Sequence, residues 1–237
     1  MRVRHLVLAT ADPASLRPFY ADALGLPVSD TPTGFIVAVG ESAVEFRQAN
    51  TGTDPFYHVA FSVPGGSIDD AAEWLAVRTD LLTDDDRERF RYEFIGADAI
   101  YAADPAGNVL ELLARDGRDR PDRPEMVGPD VEDKPFGPAS FLDVGEIGIV
   151  TEEVCGAASA LDDVFDLPGE PNEGGDFAYL GDADGAFVLV APGRRWYPTD
   201  REAAPSPLTA VVEGSATTVS IPEGPVSVVG VDTASSG

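Results

Sequence analysis

Residues 56–63 read Phe56-Tyr57-His58-Val59-Ala60-Phe61-Ser62-Val63, and Pro64-Gly65-Gly66-Ser67 closes the run with a turn. Apolar residues around a single imidazole are the pattern of a buried strand. Ser67 is placed to cap a helix whose apolar positions Ile68, Ala71, Ala72, Leu75 and Ala76 recur at helical spacing. Short strands are expected at 93–97 and 99–103, and Asp104-Pro105-Ala106-Gly107-Asn108 turns the chain into a last strand at 109–113.

The same order precedes this unit. Residues 3–9 are a strand candidate holding His5, and Asp12-Pro13-Ala14-Ser15 opens a helix with Leu16, Phe19, Tyr20, Ala23 and Leu24 on one face. Gly25 stops that helix, and strands follow at 35–39 and 43–48, joined at Gly40-Glu41. Two copies of strand–helix–strand–strand–strand are therefore expected within residues 1–115. Residues 116–140, dense in charge, Pro and Gly, are expected as a linker. Residues 141–237 carry a weaker third copy, with strands at 146–150, 177–180 and 186–191 and a helix at 154–165. A truncated fourth copy has strands at 208–212, 217–221 and 226–231 and no helix, and residues 233–237 are expected to fray.

The chain has 237 residues, 16 Lys+Arg against 42 Asp+Glu, and a formal charge of −26. An apolar fraction of 43% suits a globular protein with a real core. The acid excess repels nucleic-acid phosphates and anionic lipid, so neither is expected as a partner. No apolar run reaches the roughly 20 residues that span a bilayer, the start shows no signal-peptide cleavage pattern, and Cys155 stands alone. A cytoplasmic protein is the expectation. Lys134 is the one lysine, and this composition resembles that of proteins from extreme halophiles, where molar salt screens charge over about 3 Å.

His5 and His58 are the two histidines, each on the first strand of a repeat. Glu45 and Glu111 sit in the last strands, each flanked by apolar residues. A carboxylate there is costly unless it is paired, exposed or bound to a cation. Taken singly, each of the four has an ordinary structural reading. Four at matching places of a repeat favour a divalent metal: Ni, Zn, Co, Mn or Fe.

At these residues the chain resembles the vicinal oxygen chelate superfamily, which includes glyoxalase I, type I extradiol dioxygenases, fosfomycin-resistance transferases and bleomycin-binding proteins. The resemblance rests on Arg4-His5-Leu6, Leu16–Leu26, Ala43-Val44-Glu45-Phe46, Tyr57–Val63 and Tyr101–Glu111. It implies an α+β protein of paired βαβββ modules forming open barrels, with a second, degenerate module pair. It also implies a metal held by His5, Glu45, His58 and Glu111, with Glu45 or Glu111 doubling as base. Pairing the first repeat with the second would complete that site. The third copy offers Glu146 at the His position and Leu189 at the Glu position, and the fourth has Thr209 for His.

Three functions follow as expectations. The first is a metal-dependent glyoxalase-like lyase or isomerase acting on a small oxygen-chelating substrate through an enediolate. The second is an extradiol ring-cleaving dioxygenase with Fe or Mn, in which Tyr101 would be a hydrogen-bond donor. Residues 92–95 lack the histidine that pattern expects. The third is a non-catalytic small-molecule binder of the bleomycin-resistance kind. A small-molecule substrate and a monomer or homodimer are expected in each. Arg194, Arg195 and Trp196 form a cationic–aromatic cluster that suits either an anionic group or surface salt bridges.

Overall fold

The computed structural model describes residues 1–50, 52–118, 135–221 and 226–232. Most of the expected linker and the expected frayed end lie outside them.

The first repeat holds β1 (Val3–Thr10), α1 (Pro13–Pro18), β2 (Val28–Thr31), β3 (Gly34–Val39) and β4 (Ser42–Gln48). Asp12 caps α1 through Oδ1, which accepts from the Ala14 and Ser15 N–H groups, an arrangement worth about 1 kcal/mol. Pro18 has no N–H to give, and the helix widens beyond it, with Leu24 N–H bonding the Phe19 carbonyl at 2.9 Å. Gly25, at φ +64°, ends it as expected. The second repeat holds β5 (His58–Val63), α2 (Ile68–Ala76), β6 (Phe90–Tyr92), β7 (Ala97–Ala103) and β8 (Val109–Arg115). The third is β9 (Asp143–Val150), α3 (Val154–Phe165), β10 (Phe177–Asp182) and β11 (Gly185–Val190), and the fourth β12 (Leu208–Glu213), β13 (Thr218–Ile221) and β14 (Val226–Val231).

These strands build two curled seven-stranded sheets. Sheet A runs β13-β14-β12-β1-β4-β3-β2, and sheet B runs β10-β11-β9-β5-β8-β7-β6. The first repeat therefore joins the fourth, and the second joins the third. This corrects the expected pairing of first with second. In sheet A, β1 meets β12 antiparallel with His5 opposite Val211; in sheet B, β5 meets β9 with Ala60 opposite Glu146. The cause is edge coverage: β4 and β8 occupy one side of β1 and β5, and strands as apolar as β12 and the wholly buried β9 cannot be left as edges.

The helix-bearing faces of both sheets share one core, with Leu8, Leu16, Phe46, Phe61, Leu112, Leu161 and Phe187 buried in it. Each such side chain contributes about 1.5–3 kcal/mol of burial. Tyr20 of the first repeat donates to Asp104 of the second at 2.9 Å, which ties the turn before β8 to the first helix. Asp104 also accepts from the Ala106 and Asn108 N–H groups, so the Asp-Pro-Ala-Gly-Asn turn is held by its own side chain.

Candidate functional site

The strand registers locate four equivalent positions. Across β1/β4, His5 lies beside Ala43, and Glu45 is two residues further on. Across β5/β8, His58 lies beside Val109, and Glu111 is two further. In the third repeat Glu146 lies beside Ala186, which puts Val188 at the glutamate position. This corrects Leu189, whose side chain joins the helix-side core while Val188 faces the opposite way with Trp196. In the fourth repeat Thr209 and Val229 hold the two places.

Each sheet thus brings one histidine to one glutamate, and the four residues expected at one site are divided between two. In sheet B, His58 Nε2 lies 2.7 Å from Glu111 Oε2. The other oxygen of Glu111 accepts from the Tyr101 hydroxyl at 3.0 Å, and Tyr101 in turn meets the Tyr92 hydroxyl at 2.8 Å. Burial and the neighbouring Glu111 charge push the Tyr101 phenol well above its ordinary pKa, so it stays a donor. Glu146 accepts from Arg115 Nη2 at 2.8 Å and from the Tyr179 hydroxyl at 2.9 Å. Burial, reinforced by Glu111 and opposed by Arg115 and His58, pushes its carboxyl up to about 7. Trp196 covers the cluster, its ring 5.1 Å from the His58 ring and 33° from parallel.

Sheet A holds the simpler pair. His5 Nε2 lies 3.2 Å from Glu45 Oε2, and Arg47 grips both oxygens of Glu45 at 2.7 and 2.9 Å. The Arg47 hydrogen bonds, ahead of His5, hold the Glu45 carboxyl below its usual range. Here the face is open: the His5 side chain is 33% exposed, against 7% for His58.

Neither sheet assembles the expected metal site. Among the described residues no group of three or more His, Cys, Asp or Glu side chains is gathered for a metal ion. Sheet A has Thr209 and Val229 where further donors would stand. In sheet B the third candidate, Glu146, is engaged by the fixed positive charge of Arg115. His58 Nδ1, which a ligating histidine normally pairs with an outer acceptor, is buried without a partner. As placed, the sheet B side chains form an acid–base cluster.

Arg115, Tyr92 and Tyr179 were not singled out by the sequence, and Trp196 was grouped with Arg194 and Arg195. That grouping dissolves in the structure. Arg194 pairs with Asp176 and Arg195 with Asp84 at the surface, while Trp196 turns inward. An arginine ending a strand whose apolar run already contains Glu111 was the available signal for Arg115.

No family model matches the sequence, and no protein of curated function matches it. Solved structures do match, and they share this fold of paired modules. A candidate dioxygenase from Bacillus subtilis is similar over 91% of this chain and 71% of its own, at 17% identity and a TM-score of 0.58. Glyoxalase I from Zea mays is similar over 98% of this chain and 92% of its own, at 14% identity and a TM-score of 0.54. A variant of that enzyme gives 97% and 93% coverage, 14% identity and a TM-score of 0.56. Among the described residues no helix is long and apolar enough to cross a membrane.

Proposed function

We propose that the chain is a glyoxalase-like lyase or isomerase that moves a proton between adjacent carbons of a small oxygen-bearing substrate, with sheet B as its site. The observation that carries this reading is a further buried carboxylate, Glu146, within electrostatic reach of the His58–Glu111 pair. A carboxyl near pH 7 can both accept and return a proton at neutral pH. Glu111, held by His58 and Tyr101, stays beside it as the second carboxylate. Glu45, on the other sheet, has no part in this site. The expected four ligands are divided between the sheets, and the proton transfer is assigned to the carboxylates alone. A small molecule remains the proposed partner, and the acid excess suits work in molar salt.

The test is proton exchange. A panel of small α-hydroxy aldehydes and ketones is incubated with the protein in D2O and molar KCl, metal-free and with Ni, Zn, Co, Mn or Fe added. Wild type and Glu45→Gln are expected to place deuterium on carbon, and Glu111→Gln and Glu146→Gln to lose it. No exchange by wild type under any condition sinks the reading. Exchange that requires added metal and disappears in His58→Ala would make His58 and Glu111 ligands of a metal-dependent enzyme. The Tyr101–Glu111 hydrogen bond is the one observation that favours the dioxygenase reading. Oxygen uptake with a catechol would transfer the choice to it.

A further inference from the structure

Residues 192–206 link β11 to β12 and lie across the face of sheet B that carries His58 and Glu111. Their backbone hydrogen bonds close largely on the segment itself: Gly193 N–H to the Ala203 carbonyl, Trp196 to Arg201 and Ala203 to Arg194, at 2.7–2.9 Å. Side chains hold the segment to its surroundings. Arg195 pairs with Asp84 at 3.0 Å, and the Tyr197 hydroxyl donates to the same carboxylate at 3.3 Å. Arg201 lies 3.9 Å over the Phe56 ring and reaches the Gly107 carbonyl at 3.4 Å. Pro192-Gly193 at one end and Ala204-Pro205-Ser206-Pro207 at the other are turn-forming sequences, with Gly193 at φ +78°.

Beneath the segment the packing is apolar and the polar bonding incomplete. Trp196 sits among Ala60, Tyr101, Val150 and Val188. Its Nε1 and the Nδ1 of the His58 below it are both buried without a hydrogen-bond partner. Each bears the desolvation cost of an unmade bond, which opening to water or to a polar ligand would remove. The latch at Asp84 is partly exposed, the least durable kind of ion pair. The equivalent face of sheet A leaves its histidine one-third exposed. This segment supplies the indole that covers His58, while Phe90, Tyr92 and Tyr179 pack into the same cluster from other strands.

We infer that residues 192–206 are a lid, latched at Asp84 and seated by Trp196, which must swing out before a ligand reaches His58 and Glu111. The inference rests on sheet B being the site, and its test does not depend on turnover. Trp74 and Trp196 are the two tryptophans. In Trp74→Phe protein, Trp196 alone reports on the lid through acrylamide quenching and emission wavelength. Asp84→Ala in that background removes the latch, and quenching is expected to rise by about threefold, the factor an exposed ion pair controls. Gly148→Ala is an independent wedge, because its Cβ would meet the Trp196 ring at 2.7 Å. It should shift emission to the red and raise quenching while the melting temperature of the whole protein stays near that of the parent. Unchanged quenching in both variants overturns the lid. So does quenching that rises only as the protein as a whole unfolds, because the segment would then be fixed core. A protein whose lid opens in this way yet exchanges no deuterium would defeat the proposed reaction and leave the lid standing.

Discussion

Sheets A and B carry the same histidine–glutamate pair at the same register, and they treat it in opposite ways. In sheet A the pair is 3.2 Å apart, open on one side, and its glutamate leans on a half-exposed arginine. In sheet B the pair is 2.7 Å apart, the glutamate side chain is 3% exposed, and an indole covers the histidine. The local sequence around the two pairs is alike. What differs is the repeat each sheet has taken on as its other half. The fourth repeat supplies Thr209 and Val229, so sheet A gains no charge at the two equivalent positions. The third supplies Glu146 and, through β10, Tyr179, so sheet B gains a second carboxylate and a phenol that helps satisfy it. A repeated motif acquires different chemistry from its partner strands.

The largest consequence is in stability. Glu111→Ala would leave His58 Nε2 and the Tyr101 hydroxyl buried beside a vacated place, and a cost of about 3–5 kcal/mol is expected. Glu45→Ala removes the same residue type from the same register, where water can serve His5 and Arg47, and should cost about 1 kcal/mol or less. Urea unfolding of both variants in molar KCl measures the gap. Equal losses would mean that the two faces are equally wet, and the contrast would be gone.

Local pattern was enough for α3 at 154–165 and for β14 at 226–231, because apolar spacing marks both. It missed β2, Val28-Ser29-Asp30-Thr31, a half-exposed edge strand with little apolar signal. It also displaced β6. Residues 93–96 form the hairpin turn, with Gly96 at φ +57°, and the strand precedes them at Phe90–Tyr92. The two pairs His5–Glu45 and His58–Glu111 were legible because each lies within one repeat. The joining of repeats was not, since β1 with β12 and β5 with β9 are contacts between distant strands that no local period encodes. Arg115 was missed and Trp196 misgrouped for the same reason: one ends a strand and the other lies in a loop, and each matters only through what it meets across the sheet.

Acid–base behaviour sharpens the contrast further. Glu146 has its carboxyl raised to about 7 in the folded protein, from an ordinary value of 4.5. The folded state therefore holds a proton that the unfolded chain releases, and this residue's contribution to stability falls as pH rises from about 4.5 to about 7. Glu146→Gln keeps the shape and cannot ionise. Its unfolding free energy, followed across that window, should decline less steeply than that of wild type. Parallel profiles would remove Glu146 as a buried proton carrier and with it the support for its proposed catalytic part.

Glu45 should show the reverse sign and a smaller size. Its folded carboxyl lies below the ordinary range, chiefly through the Arg47 hydrogen bonds, so its contribution is present above the unfolded pKa and disappears as pH falls through the folded one. Arg47→Ala should accordingly cost about 0.5 kcal/mol at pH 7, the scale of an exposed pair, and almost nothing once Glu45 is protonated in acid. Glu146→Gln and Arg47→Ala, compared with wild type over one pH series, then give difference curves of opposite slope from two sheets of one chain. Were the Arg47→Ala cost to persist undiminished in acid, the arginine would be acting through the packing of its stem and not through Glu45, and sheet A would hold no charge-coupled pair to set against sheet B.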